Sequence, residues 1–146
     1  MLHLNEQPAV QPLILFSVLL VLKMGALAFV TANERRKGKV VVNPEDTKVN
    51  PGSVQGAEES PGTLRAKRAH QNDVENIPGF LVLALLYTFA GGTALGGWAY
   101  FGVYFLARAL HSLFYLNASQ PMRTIMFFVG QLTQLGIIVQ LLMKAF

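Results

Sequence analysis

The chain has 146 residues, of which 52% are hydrophobic and 14% charged, with a formal net charge of +4. This length suits one domain, and so apolar a composition excludes a disordered chain. Residues 33–68 hold 13 of the 20 Asp, Glu, Lys and Arg residues, whereas a soluble domain needs charge along all its surface elements. What remains is an all-α integral membrane protein with one hydrophilic loop. The absence of cysteine removes disulfides, thiolate metal sites and a cysteine nucleophile. The basic balance sits beside apolar segments, so a membrane surface is the expected partner and nucleic acid is not.

A span needs roughly 20 mostly apolar residues. The first expected span covers about 11–32 and is preceded by His3 and Glu6 with no Lys or Arg, which favours a retained anchor over a cleaved signal. The hydrophilic loop covers 33–64. Within it, Asn43-Pro44-Glu45-Asp46 reads as a helix start, with Asn capping and two acids at the positive end. The remainder of the loop is rich in turn residues and is expected to be irregular. The second span, about 65–90, begins amphipathically and carries Pro78, which removes a backbone donor and is expected to bend it. The third covers about 95–116 and the fourth about 121–144, with Pro121 placed for the first turn. Connections of a few residues make spans two, three and four antiparallel neighbours. The expected architecture is a four-transmembrane-helix antiparallel bundle in a single domain, 1–146. The Lys and Arg of the first loop place that loop in the cytoplasm and both termini outside, in a multi-pass arrangement.

Ionisable residues inside spans mark candidate sites. Arg65, Arg68, Asn72 and Glu75 form one helical stripe on the second span, and Arg108, His111 and Tyr115 another on the third. Arg123 and Thr124 open the fourth span, and Arg35 closes the first. All converge on the cytoplasmic half of the bundle, from four different helices. Each has a plainer role: the basic cluster at 35–39 serves as headgroup anchors, His111 as a packing residue, and Lys23 as a snorkelling or paired residue with Asp73 as its counter-ion. Arg108 and Arg123 resist that role most, because a buried guanidinium stays charged and requires an anion or water. His3, His70 and His111 lie at unrelated depths, so no metal site is expected. Read physically, the residues describe a funnel for an anionic, partly amide-like, water-borne ligand meeting a lipophilic one, with Asn72 and Glu75 supplying acceptors.

Four segments together resemble the MAPEG family, membrane-associated proteins in eicosanoid and glutathione metabolism, in its microsomal glutathione transferase and prostaglandin E synthase branch. They are Asn43-Pro44-Glu45-Asp46; Arg68 to Ile77; Ala107-Arg108-Ala109-Leu110-His111 with Tyr115; and Gln120-Pro121-Met122-Arg123 followed by Phe127-Phe128-Val129-Gly130. The resemblance implies a homotrimer of four-helix bundles with glutathione between neighbouring protomers near the cytoplasmic face. It assigns Arg35, Arg68, Gln71, Asn72, Glu75, Arg108, His111, Tyr115, Thr124 and Phe127 to that site, Glu75 facing the ammonium and the arginines the carboxylates. Arg123 matches the arginine assigned to the sulfur, where a fixed positive charge favours thiolate.

Three positions depart from the synthase pattern. Gln71 stands where that branch has an arginine, Thr124 where it has a serine, and Phe127 where it has a tyrosine. These departures tilt the expectation toward a glutathione transferase, with hydroperoxide reduction as a related activity, on lipophilic electrophiles or hydroperoxides from the bilayer. Endoperoxide isomerisation, and a non-catalytic channel or anionic-lipid-binding module, are the alternatives. A bacterial inner membrane and the endoplasmic reticulum both fit as hosts.

Overall fold

The computed structural model describes residues 6–56 and 58–146; His3 lies outside them. Four long helices follow one another: α1 (Val10–Gly38), α2 (Pro61–Phe89), α3 (Ala94–Leu116) and α4 (Met122–Ala145). Helices α1 and α4 are long and apolar enough to cross a membrane. Helix α2 opens with a charged segment, and α3 carries Arg108 and His111, which dilutes their apolar character. At 1.5 Å per residue even α3, with 23 residues, extends about 35 Å.

Spacing explains the packing. Helix α1 buries Leu13, Leu20 and Leu27, seven residues apart, on one narrow seam. On α2 the inward stripe includes Thr63, Ala66, Ala69, Asp73, Ile77, Phe80, Ala84 and Tyr87, at steps of three or four. Helix α3 answers with Gly97, Phe101, Tyr104, Arg108 and His111, and α4 with Gly130, Thr133 and Ile137. Helices α2 and α3 form the centre, with α1 packed on both and α4 also on both, while α1 and α4 do not touch. The Phe80 and Tyr104 rings stack at 3.6 Å between centroids. A side chain at Gly97 would strike Pro12 at 2.8 Å, so this glycine permits the close approach of α1 to α3. Large apolar side chains such as Ile14, Val18, Phe29, Leu132, Leu135 and Met143 face outward. Where the surroundings are as apolar as the side chains, packing and hydrogen bonds hold helices together rather than the hydrophobic effect.

Several boundaries differ from the sequence reading. Helix α1 runs to Gly38 and α2 begins at Pro61, because Ser60 caps α2 by accepting from the Thr63 backbone N–H at 3.3 Å and Lys39 ends α1 in the left-handed region. The 33–64 loop is therefore shorter than expected. Pro44–Lys48 is a 3-10 helix, and Asn43 makes no side-chain cap to its backbone; its amide instead reaches Asp46 Oδ2 at 3.4 Å. The loop is not wholly irregular, since strands β1 (Val40–Val41) and β2 (Val54–Gln55) pair in parallel. Helix α2 continues through Pro78 without interruption, and Pro121 precedes α4 rather than opening it.

Candidate functional site

The antiparallel order brings the end of α1, the start of α2, the end of α3 and the start of α4 to the same end of the bundle as the loop. A cavity of about 410 Å³ opens there, lined by Pro61, Leu64, Arg65, Arg68, Tyr115, Ala118 and Arg123. Three guanidiniums line it and no carboxylate does. Arg65, Arg68 and Arg123 form no ion pair among the described residues. Arg123 lies with Cζ 4.5 Å from the centre of the Tyr115 ring, a cation–π contact. An arginine only donates, so the Gln120 amide turns its oxygen toward the Arg123 guanidinium and its nitrogen toward Thr124 Oγ1 at 3.0 Å. Arg123 is thus positioned by a ring and an amide, neither of which cancels its charge.

Behind the cavity lies a charged core. Asp73 is fully buried, and both of its oxygens are committed: Arg108 donates to Oδ1 at 2.8 Å and Lys23 to Oδ2. Lys23 also donates to Ser112 Oγ at 2.7 Å. Arg108, 1% exposed, donates in addition to Asn72 Oδ1. The chain of contacts continues from the Asn72 carbonyl, which accepts from Asn76 Nδ2 at 2.7 Å, to Gln131, whose Nε2 donates to Asn76 Oδ1 at 2.7 Å. All four helices therefore meet in one polar network. The charged groups are paired within the chain, as a low-dielectric interior requires, although the buried Arg108 Nε has no hydrogen-bond partner among the described residues.

The sequence-derived residues sort into three places. Arg68, Tyr115 and Arg123 line the cavity, together with Arg65, which the helical stripe pointed to but the candidate set omitted. Gln71 and Glu75 lie exposed on the outward face of α2, Gln71 Nε2 donating to Glu75 Oε1 at 2.9 Å, and Asn72 is half-buried at the edge of that face. Arg108 and His111 are buried within the chain's own bundle, His111 with its ring 5.8 Å from Tyr115 and 6.1 Å from Phe127. Thr124 is exposed beside Gln120.

Arg35 is not among the cavity residues. Its Nε and Nη2 donate to Glu59 Oε1 at 3.0 and 2.8 Å, and Lys67 donates to Glu59 Oε2 at 3.1 Å. Burial raises the Glu59 pKa, but the hydrogen bonds and charges of Lys67 and Arg35 outweigh it and hold the group below its ordinary 4.5. Glu59 therefore fastens the loop to α1 and α2. Nothing in its local sequence marked it, because the contact is tertiary. Among the described residues no cluster of His, Cys, Asp or Glu is fit to hold a metal ion.

A bundle whose mid-depth ion network is internally paired, with an unpaired arginine cavity at one end, is the setting in which the family match falls. The MAPEG family model covers residues 13–143, and the chain belongs to that family. It is 35% identical over 141 residues to prostaglandin E synthase of Macaca fascicularis, covering 96% of this chain and 92% of the relative. The human prostaglandin E synthase is 34% identical over the same shares. Microsomal glutathione S-transferase 1 of Rattus norvegicus is 36% identical over 120 residues, 79% of this chain and 77% of the relative.

Proposed function

We propose that this chain is a glutathione-dependent membrane enzyme, a transferase that attacks lipophilic electrophiles with an arginine-stabilised thiolate and also reduces lipid hydroperoxides. The carrying observation is the 410 Å³ cavity with Arg65, Arg68 and Arg123 on its walls, no carboxylate on its lining and no ion pair to any of the three among the described residues. A ligand with two carboxylates and an ionisable thiol supplies the missing negative charge, and forked guanidiniums suit carboxylates. Four spans, a homotrimer and a loop facing the cytoplasm complete the reading. The outward apolar side chains on all four helices support the spans, and Gln71 and Glu75 on an outward face support a neighbouring protomer that completes the site.

Residue by residue, Arg68 and Arg65 bind carboxylate groups, Glu75 takes the ligand ammonium, Tyr115 borders the sulfur position, and Arg123 holds the sulfur as thiolate. Arg35, Gln71, Asn72, His111, Thr124 and Phe127 complete the ligand's surroundings. Arg35 reaches the ligand only where Glu59 shares or releases it, and Arg108 contributes from behind the wall. In transfer, the thiolate lone pair forms a C–S bond to the electrophilic carbon while the leaving group departs with its bonding pair. In hydroperoxide reduction, the thiolate attacks the terminal oxygen, the O–O bond breaks, and the released alkoxide takes a proton. A second glutathione then displaces water from the sulfenic acid to give the disulfide.

Glutathione-dependent isomerisation of a prostaglandin endoperoxide is the second reading, favoured by the synthase relatives that span 96% of the chain. The deciding assay supplies glutathione with either a chlorinated nitrobenzene or a prostaglandin endoperoxide to the purified protein. Conjugate formation supports the transferase; turnover of the endoperoxide alone overturns it in favour of the isomerase. Absence of saturable glutathione binding overturns both and leaves the membrane-module alternative.

A further inference from the structure

We infer that Arg108 is a positioning residue that fixes the Asn72 side chain as a hydrogen-bond donor toward the ligand. The inference rests on the glutathione reading and reverses one expectation from the sequence, that Asn72 supplies an acceptor. A guanidinium has donors only, so the Asn72 atom facing Arg108 is the carbonyl oxygen, and the amide nitrogen is turned away from the core. That nitrogen makes no hydrogen bond among the described residues. Asn72 is half-buried, on the edge of the α2 face that carries Arg68 one turn before it and Glu75 one turn after.

Arg108 has little freedom to do otherwise. It is 1% exposed and held on Asp73 Oδ1 at 2.8 Å, and Asp73 is pinned from its other oxygen by Lys23. The orientation of Asn72 is thereby set from α1, α2 and α3 together. An isolated asparagine presents either end of its amide with equal ease; this one is locked. Its outward N–H recognises a carbonyl or carboxylate oxygen, while Glu75 one turn on takes a cation. The pair reads an amino-acid-like end of a peptide in one direction only.

The test is glutathione affinity in the purified, full-length, membrane-reconstituted protein, measured by equilibrium dialysis, with kcat at saturating glutathione beside it. Asn72→Ala is expected to weaken binding roughly 10- to 100-fold with kcat held within about twofold. Asn72→Asp retains the oxygen for Arg108 but presents a second oxygen outward, and is expected to bind at least as weakly as Asn72→Ala. Affinity close to the parent protein in Asn72→Asp overturns the proposal, since it makes the outward group an acceptor. Arg108→Lys is expected to weaken binding in the parent and to add less than about twofold in the Asn72→Ala background. Fully additive losses overturn the positioning role. Should Arg108→Lys fail to assemble, the comparison of Asn72→Asp with Asn72→Ala decides alone, because the donor orientation is what Arg108 imposes. Failure of the underlying reading shows separately, as no saturable glutathione binding by the unsubstituted protein.

Discussion

Replacing Arg123 by leucine tests the sulfur chemistry directly. A guanidinium and a thiolate about 4 Å apart attract by about 4 kcal/mol at an effective dielectric constant near 20. Arg123 is half-buried at the mouth of a cavity, so screening leaves about 1.5–3 kcal/mol. That is roughly one to two pKa units from a thiol whose ordinary value is about 8.5. Arg123→Leu should therefore move the midpoint of the thiolate ultraviolet absorbance of bound glutathione upward by about one to two pH units. The rate follows less steeply, because a less basic sulfur is also a weaker nucleophile, with a Brønsted slope of about 0.4–0.5. At about pH 6.5 the variant should turn over roughly three- to sixfold more slowly, and the deficit should close near pH 8, where the thiol begins to ionise unaided. Glutathione affinity should change little, since Arg65 and Arg68 still face the carboxylates. An absorbance midpoint that does not move, or a large loss of affinity with unchanged turnover at saturation, refutes thiolate stabilisation by Arg123.

Asp73→Asn leaves Lys23 and Arg108 without their shared anion in the protein interior, a change expected to cost about 3–5 kcal/mol. Thermal melting of the purified protein should show it, and adding Lys23→Met should recover part of the loss; a melt unchanged by Asp73→Asn refutes the network's role. Glu59 has a folded-state pKa below its ordinary 4.5, so its hold on the loop is complete above that value and is lost as pH falls through the lowered one. Limited proteolysis of the loop should accordingly accelerate on acidification. In Glu59→Gln it should be fast at neutral pH and respond less to pH, and identical profiles for the two proteins count against the Arg35–Glu59–Lys67 anchor. Glu75→Gln, on an exposed face where Gln71 is its only hydrogen-bond partner among the described residues, should weaken glutathione binding while leaving assembly intact. An unassembled Glu75→Gln protein assigns that carboxylate a structural task instead.

The helices were legible because apolar length and short connections admit little else, and the convergence of charged residues on one end followed from helix direction alone. The need of Arg108 for an anion was legible too. Its partner was not, since the sequence offered Asp73 to Lys23 and a ligand to Arg108; only the fold shows that one carboxylate has two oxygens and serves both. Arg35 was assigned to the ligand for the same reason. Glu59 lies 24 residues away in a stretch with no apolar period, and nothing short of three-dimensional structure brings it to α1. The β1–β2 pair, two residues per strand, is likewise fixed by contact across the loop rather than by alternation within it.

These pairings sharpen the functional argument rather than weaken it. The chain has acids available in this half of the molecule, and the fold places Asp73 against Lys23 and Arg108, and Glu59 against Arg35 and Lys67. Each of those cations performs a structural task, and each has a carboxylate within bonding distance. Arg65, Arg68 and Arg123 share the same end of the bundle and have none among the described residues. Keeping three like charges around one cavity is unfavourable without a counter-charge, so the lack of an ion pair to any of them among the described residues is informative. The cations tied to protein carboxylates hold the scaffold; those left unpaired define the surface on which an anion must complete the site.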